Sequence, residues 1–257
     1  MDFTLAKYKE ICKALKKSNY TFLTFDSYFD LLADNALPEK YVLLRHDVDR
    51  QNINSLKMSE EESSLGIVST YYFRDRKCSF DKNIMNKMIS LNHEVGYHYE
   101  TLADCKGNYE DAISLYVKNI KRFEEINPVT TICMHGSPLS GIDNRDLWQK
   151  YNLKDYSIKG EPYLSIDYST VLYFTDTGRC WDGFKTNLRD FVDNGDLKPK
   201  ENIHTSDDLI KFIKSYDKPI IIQTHPERWA YNNITFIYSL FMDSLTNTIK
   251  YILKKIR

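Results

Sequence analysis

Four of the six histidines, and most of the tightly clustered acids, stand where a short apolar run stops. YVLLRHDVD ends on His46, Asp47 and Asp49; HEVGYHYE ends on His98 and Glu100; TTICMHGSP ends on His135; PIIIQTHPERW ends on His225. A fifth run, VLYFTDTGRCW, ends on Asp176, Arg179 and Trp181. Imidazoles and carboxylates gathered in this way suit zinc or a similar divalent ion. In a strand, residues two apart point the same way, so Asp47 and Asp49 can face one pocket. Two adjacent carboxylates repel unless a cation sits beside them. A metal resolves that repulsion, leaving one acid as a ligand and the other free as a base. Each histidine alone is more often a hydrogen-bonded structural residue than a ligand; the weight of the pattern is collective.

Apolar runs bounded by polar residues read as buried strands, and helical patterns separate them. Two helices are expected before about Asn35, then YVLLRH as the first strand. INSLKMSEEESSL reads as a helix closed by Gly66, DKNIMNKMISL as one capped by Asp81, and NYEDAISLYVKNIKRFEEIN as one capped by Asn108. TSDDLIKFIKSY carries Thr205 and Asp208 at capping-box spacing. A long helix from about Thr235 to Ile256 closes the chain; its basic end invites a membrane-surface reading, but its apolar face is expected to pack on the body. Strands alternating with helices argue for a parallel α/β architecture, a (β/α) barrel with irregular units, against a doubly wound sheet as the alternative. RHDVDRQN stands where a dinucleotide fold would place its glycine fingerprint, which counts against that alternative. Parallel strands deliver their carboxyl ends to one face, so the histidines and acids are expected to converge there.

Composition narrows the partners. The chain has 257 residues, 35 Lys and Arg against 36 Asp and Glu, and a formal net charge of −1, so no basic excess argues for nucleic acid. Five widely spaced cysteines without a CxxC pair suggest neither a disulfide framework nor a zinc ribbon. The N-terminal segment lacks a signal-peptide core and no stretch is apolar enough to span a bilayer, so the expectation is a cytoplasmic protein without stable membrane insertion. No repeat or linker interrupts residues 1–257, and one domain is expected.

The order RHDVD, EVGYHYE, HGSP and THP resembles the NodB-type polysaccharide deacetylases, carbohydrate esterase family four, over residues 41–229. The resemblance implies a distorted (β/α) barrel of about seven strands with helical additions at both ends. It also implies a divalent metal, zinc first, and hydrolysis of an N-acetyl group on a sugar. By the same resemblance Asp47 is the general base, Asp49 and His98 bind metal, and His225 protonates the leaving amine. Two departures stand out. The family's second histidine falls on Leu102, so His135 is expected to supply the missing ligand, with Glu100 as the substitute. The arginine before the family's proline motif is also missing, and Arg179 or Arg45 is the candidate to replace it. Asp176, Arg179 and Glu100 are candidates to contact substrate, and Trp181 and Trp229 either stack on a sugar or pack the core. With no export signal, the expected substrate is a small or carrier-linked sugar precursor of surface polysaccharide. The alternatives are an inactive sugar- or nucleotide-sugar-binding protein on this fold and a metal-dependent hydrolase of a non-sugar amide.

Overall fold

A computed structural model describes residues 1–137, 140–182, 192–197, 199 and 202–256, with side chains of the last helix described to Ser244. Pro138 of the HGSP motif and most of the polar tract between Gly183 and Ile203 lie outside the described residues. The elements run α1 (Leu5–Lys17), β1 (Thr21–Leu23), α2 (Phe25–Ala33), β2 (Tyr41–Val48), α3 (Asn52–Ser64), β3 (Thr70–Phe73), α4 (Lys82–Ser90) and β4 (Glu94–Tyr99). They continue α5 (Thr101–Asp104), α6 (Tyr109–Glu124), β5 (Ile132–Met134), α7 (Leu147–Lys150), α8 (Pro162–Ser165), β6 (Leu172–Thr175), α9 (Ser206–Ile213), β7 (Ile220–Thr224) and α10 (Asn233–Ile256). The expected caps form. Asp81 accepts from the amides of Asn83 and Ile84, Asn108 from those of Glu110 and Asp111, and Thr205 with Asp208 closes a capping box. Gly66 follows the end of α3 at φ 68°, a left-handed conformation that favours glycine. The three-residue β1 escapes a pattern search because it is too short to show alternation.

All described pairings are parallel, in the order β5-β4-β3-β2-β7-β6. β1 takes the N-terminal part of one edge of β2, and β3 takes the C-terminal part. Sequence order is preserved around this ring and β7 returns beside β2, which is the connectivity of a barrel opened between β5 and β6. A doubly wound sheet would instead reverse direction at a switch point. The 158–168 segment fills the opening: Gly160 bridges Thr131, and buried Glu161 accepts from the Met134 amide at 3.0 Å.

Alternation along the strands divides the core. Val42, Leu44, Phe174 and Ile222 pack outward on α1 and α9, while Tyr71, Phe73, Val95 and Tyr97 pack outward on α4 and α6. Leu43, Tyr72, Cys133, Tyr173 and Ile221 point inward and meet Phe25, Tyr28 and Phe29 of α2. Above that apolar floor, toward the carboxyl ends, the inward positions become polar: Arg45, Asp47, His98 and Gln223. Gly96 belongs to this inner face because the Tyr72 ring covers it. A Cβ there would lie 2.5 Å from Tyr72 Cε1 and 2.8 Å from the Thr131 carbonyl oxygen. Gly96→Ala is therefore expected to cost about 1–3 kcal/mol by overpacking, read as a lower urea midpoint at unchanged slope. An unchanged midpoint would show that the inner layer is not packed this closely.

One expectation about α10 is corrected. Its described half turns Ser239 and Asp243 toward the body and leaves Ile234, Ile237, Tyr238 and Phe241 exposed. The reason is electrostatic: Asp243 is held by Arg179 Nε at 2.6 Å and lies 3.5 Å from Arg50 Nη2, and Ser239 accepts from Arg179 Nη2 at 2.6 Å.

Candidate metal centre

Asp47 on β2, Asp49 just beyond it, His98 on β4 and His135 just beyond β5 meet above the inner floor. His98 Nδ1 is 3.0 Å from the Cys133 carbonyl oxygen, and His135 Nδ1 is 2.8 Å from Glu100 Oε2. Those oxygens can only accept, so each Nδ1 donates and each Nε2 is left as the nitrogen turned toward Asp49. Both Nε2 atoms lie 3.5 Å from Asp49 Oδ1. That oxygen is buried and makes no hydrogen bond. Burial pushes the Asp49 carboxyl up, but His135, His98 and Arg74 outweigh it and hold it well below the usual carboxylate range. Burial also lowers the pKa of His98, against the pull of Asp47 and Asp49. An ionised carboxylate oxygen without a hydrogen bond, approached by two imidazole Nε2 atoms whose far nitrogens are anchored, is a donor set that suits a divalent cation. The residues fit the metal that the motifs imply.

A neighbouring set, Asp47, His98 and Cys133, brings its ligand atoms within 4.8 Å of one another. Asp47 is the poorer ligand. Its Oδ2 already accepts from Arg45 Nη2 at 2.9 Å and Gln223 Nε2 at 3.0 Å, and a guanidinium at that distance opposes a second cation. Its Oδ1 is buried without a hydrogen bond. Asp47 is thus held by one oxygen and open at the other. Arg45, completely buried against Tyr163, stands beside this acid.

Glu100 does not extend into the site as a substrate contact. It accepts from Arg74 and Arg76 and orients His135; burial pushes its carboxyl up, but His135 and Arg74 outweigh that and hold it below the usual carboxylate range. Leu102 lies in the apolar cluster under α6, not among the ligands.

Beyond β7, His225 stands on the other side of Gln223, whose Nε2 is 3.2 Å from His225 Nε2. Asp176, expected to touch substrate, is fully buried and holds His225 instead. Its Oδ1 accepts from His225 Nδ1 at 2.7 Å, and its Oδ2 from the His225 amide and from Trp229 Nε1, both at 2.9 Å. Arg179 is likewise corrected, since it ties α10 to the body. Trp181 and Trp229 are core residues: both are buried, with Phe3 6.3 Å from Trp181 and 5.2 Å from Trp229 between ring centroids. His46 leaves the site altogether. Its ring points outward, bonds Glu62 Oε1 at 2.9 Å and Thr224 Oγ1 at 2.7 Å, and stacks on Tyr71. Gln223 and Arg45, which flank Asp47, and Arg74, which holds Glu100, were not singled out as a group from the sequence, although Gln223 shares the inward alternation of His225.

Burial and Arg228 oppose charge on His225, but Asp176 outweighs them and raises its pKa from 6.5 to about 9. A group whose pKa is raised on folding stabilises the native state below its unfolded value, and that stability is lost as pH rises through the folded value. The metal-free protein is therefore expected to lose stability between pH 6.5 and about 9. Asp176→Asn should flatten that slope, whatever its overall cost; coincident urea-midpoint profiles for the two proteins would refute the pairing.

No family model matches the chain, and no curated protein matches it. Solved structures with similar folds include the deacetylase PplD of Streptococcus pyogenes in complex with acetate, at 14% identity and TM-score 0.39, covering 50% of this chain and 61% of that one. The match thus spans about three fifths of that deacetylase. IcaB from Ammonifex degensii matches at 14% identity and TM-score 0.42, over 57% of this chain and 72% of that one. A CE4 family pseudoenzyme from Bacillus anthracis matches at 14% identity and TM-score 0.44, over 84% of this chain and 66% of that one.

Proposed function

We propose that the chain is a metal-dependent hydrolase that removes an N-acetyl group from a small or carrier-linked sugar, with zinc as the first candidate metal. The observation that carries the metal is Asp49 Oδ1, buried, unpartnered and 3.5 Å from Nε2 of both His98 and His135. The choice of an acetylated sugar rests on the motif order RHDVD, EVGYHYE, HGSP and THP.

Asp49, His98 and His135 would hold the ion, which supplies Lewis acidity to amide hydrolysis. Asp47 Oδ1 is free to take the proton of the attacking water, while Arg45 and Gln223 fix the carboxylate through its other oxygen. His225, raised to about 9 by Asp176 against burial, carries a proton at neutral pH and delivers it to the departing nitrogen. Asp176 positions that imidazole from within the core. Asp47 and His225, on either side of the Gln223 amide, would be the base and the acid that amide cleavage needs.

The test is elemental analysis after zinc reconstitution, followed by acetate release from chito-oligosaccharides and from UDP-N-acetylglucosamine. About one ion per chain and acetate from either substrate are expected. Absence of metal after reconstitution would refute the centre. Metal without acetate from any acetylated sugar would leave the inactive binding protein, or an amide outside the sugars, as the surviving readings.

A further inference from the structure

We infer that Cys180, Asp182 and His204 form a second divalent-metal site, suited to zinc, that clamps the connection between β6 and α9. Among the described residues this is the one group of three, apart from the Asp47 set, whose ligand atoms all lie within 4.8 Å of one another. The three come from two short segments that bracket residues 183–203. Cys180 and Asp182 flank Trp181 a few residues after β6, and His204 stands just before the capping residue of α9. A metal held by all three would tie the two ends of that tract together.

The backbone already brings the segments to one place. The Trp181 amide donates to the His204 carbonyl oxygen at 3.1 Å, and Trp181 Nε1 donates to Ser206 Oγ at 3.1 Å. Asp208 of the capping box accepts from the His204 and Thr205 amides at 3.3 and 2.8 Å. Trp181 is buried against Phe3 and Trp229, whereas Cys180 and Asp182 on either side of it are only partly buried, beside His204. His204 Nδ1 lies 2.7 Å from Asp182 Oδ1. Zinc bonded to both would hold its ligand atoms about 3.3–3.7 Å apart, by its usual bond lengths and tetrahedral angle. That opening is small, and the imidazole is exposed enough to make it. Ligand chemistry selects the ion. Calcium and magnesium take oxygen ligands and would leave the thiol and the imidazole unused. Sulfur, nitrogen and oxygen donors together suit zinc, with water in the fourth position. As the thiolate binds, its proton passes to solvent. Because His204 has to move, the site is expected to fill only above the metal concentrations that saturate the Asp49 centre, whose imidazoles are anchored.

The experiment is a cobalt(II) titration of the reduced full chain, as wild type and as His98→Ala, which lacks a ligand of the first centre. Both are expected to develop thiolate-to-cobalt charge-transfer absorption in the near ultraviolet, and added zinc should bleach it. Cys180→Ser in the His98→Ala background should abolish the band, and Cys133→Ser should leave it. His204→Ala should weaken cobalt binding at this site by more than about 100-fold, the upper end for loss of a mere supporting residue. Its exposed side chain keeps the test available if Cys180→Ser fails to fold by circular dichroism. A wild type without a thiolate band overturns the inference. So does a band that survives Cys180→Ser, a His204→Ala variant that binds cobalt as the wild type does, or a band lost only in Cys133→Ser, which would assign the thiolate to the Asp47 set. The readout needs neither turnover nor the Asp49 centre, so failure here and failure of the hydrolase reading are separate results.

Discussion

Asp49→Ala is expected to empty the centre of metal and abolish acetate release, whereas Glu100→Gln should weaken metal binding by only about 10–100-fold. The contrast follows from where the two carboxylates stand. Asp49 Oδ1 faces both imidazole Nε2 atoms and has no competing hydrogen bond, so its removal deletes the anionic donor of the set. Glu100 is saturated by Arg74, Arg76 and His135 and reaches the metal position only through His135. Replacing it loosens one ligand without deleting any. Competition against a chromophoric zinc chelator would measure both variants, with His98→Ala as the reference for loss of a ligand. If Glu100→Gln lost metal as completely as Asp49→Ala, Glu100 would be a ligand and His135 its support.

The same alternation that makes Asp47 and Asp49 neighbours also separates them from His46, and the outcome shows what sequence order can carry. Residues 47 and 49 share the inner face, so 46 must point outward, where Glu62 and Tyr71 receive it. That placement was readable from strand parity, as was the inward side of Gln223, two residues before His225. The barrel order was readable too, because runs and helical patterns alternate and the glycine fingerprint is missing. The roles of Asp176 and Trp229 were not readable. An acid at a strand end is compatible with substrate or with a buried partner, and the choice depends on the β6–β7 pairing that brings residue 176 to residues 225, 228 and 229. Nor could any periodicity announce Tyr163 above Arg45, because it comes from an irregular tract that fills the open side of the barrel. The orientation of α10 was misjudged for a related reason. An amphipathic pattern states which residues share a face, not whether a buried Asp243 with three arginines nearby will turn that face outward.

Asp47→Asn should lower the rate of acetate release by about 10²–10⁴-fold while leaving metal content and fold intact. Asparagine keeps the shape of the side chain, and its carbonyl oxygen can still accept from Arg45 and Gln223, as Asp47 Oδ2 does at 2.9 and 3.0 Å. What it cannot keep is the second oxygen. Asp47 Oδ1 is buried and unbonded, the state of a group held ready to accept a proton, and an amide nitrogen in its place can only donate. The loss should therefore fall on kcat and leave KM nearly unchanged, because no ground-state contact to substrate is removed. Arg45→Met supplies the complementary case. Withdrawing the guanidinium leaves a buried carboxylate short of its charged partner, so the base is misplaced and acetate release is expected to fall with metal content unchanged. Near-wild-type turnover in Asp47→Asn would remove the residue from the mechanism and shift the base to another group, for which Glu227 is a candidate, a buried acid that burial and the Asp49 charge push up to about 7.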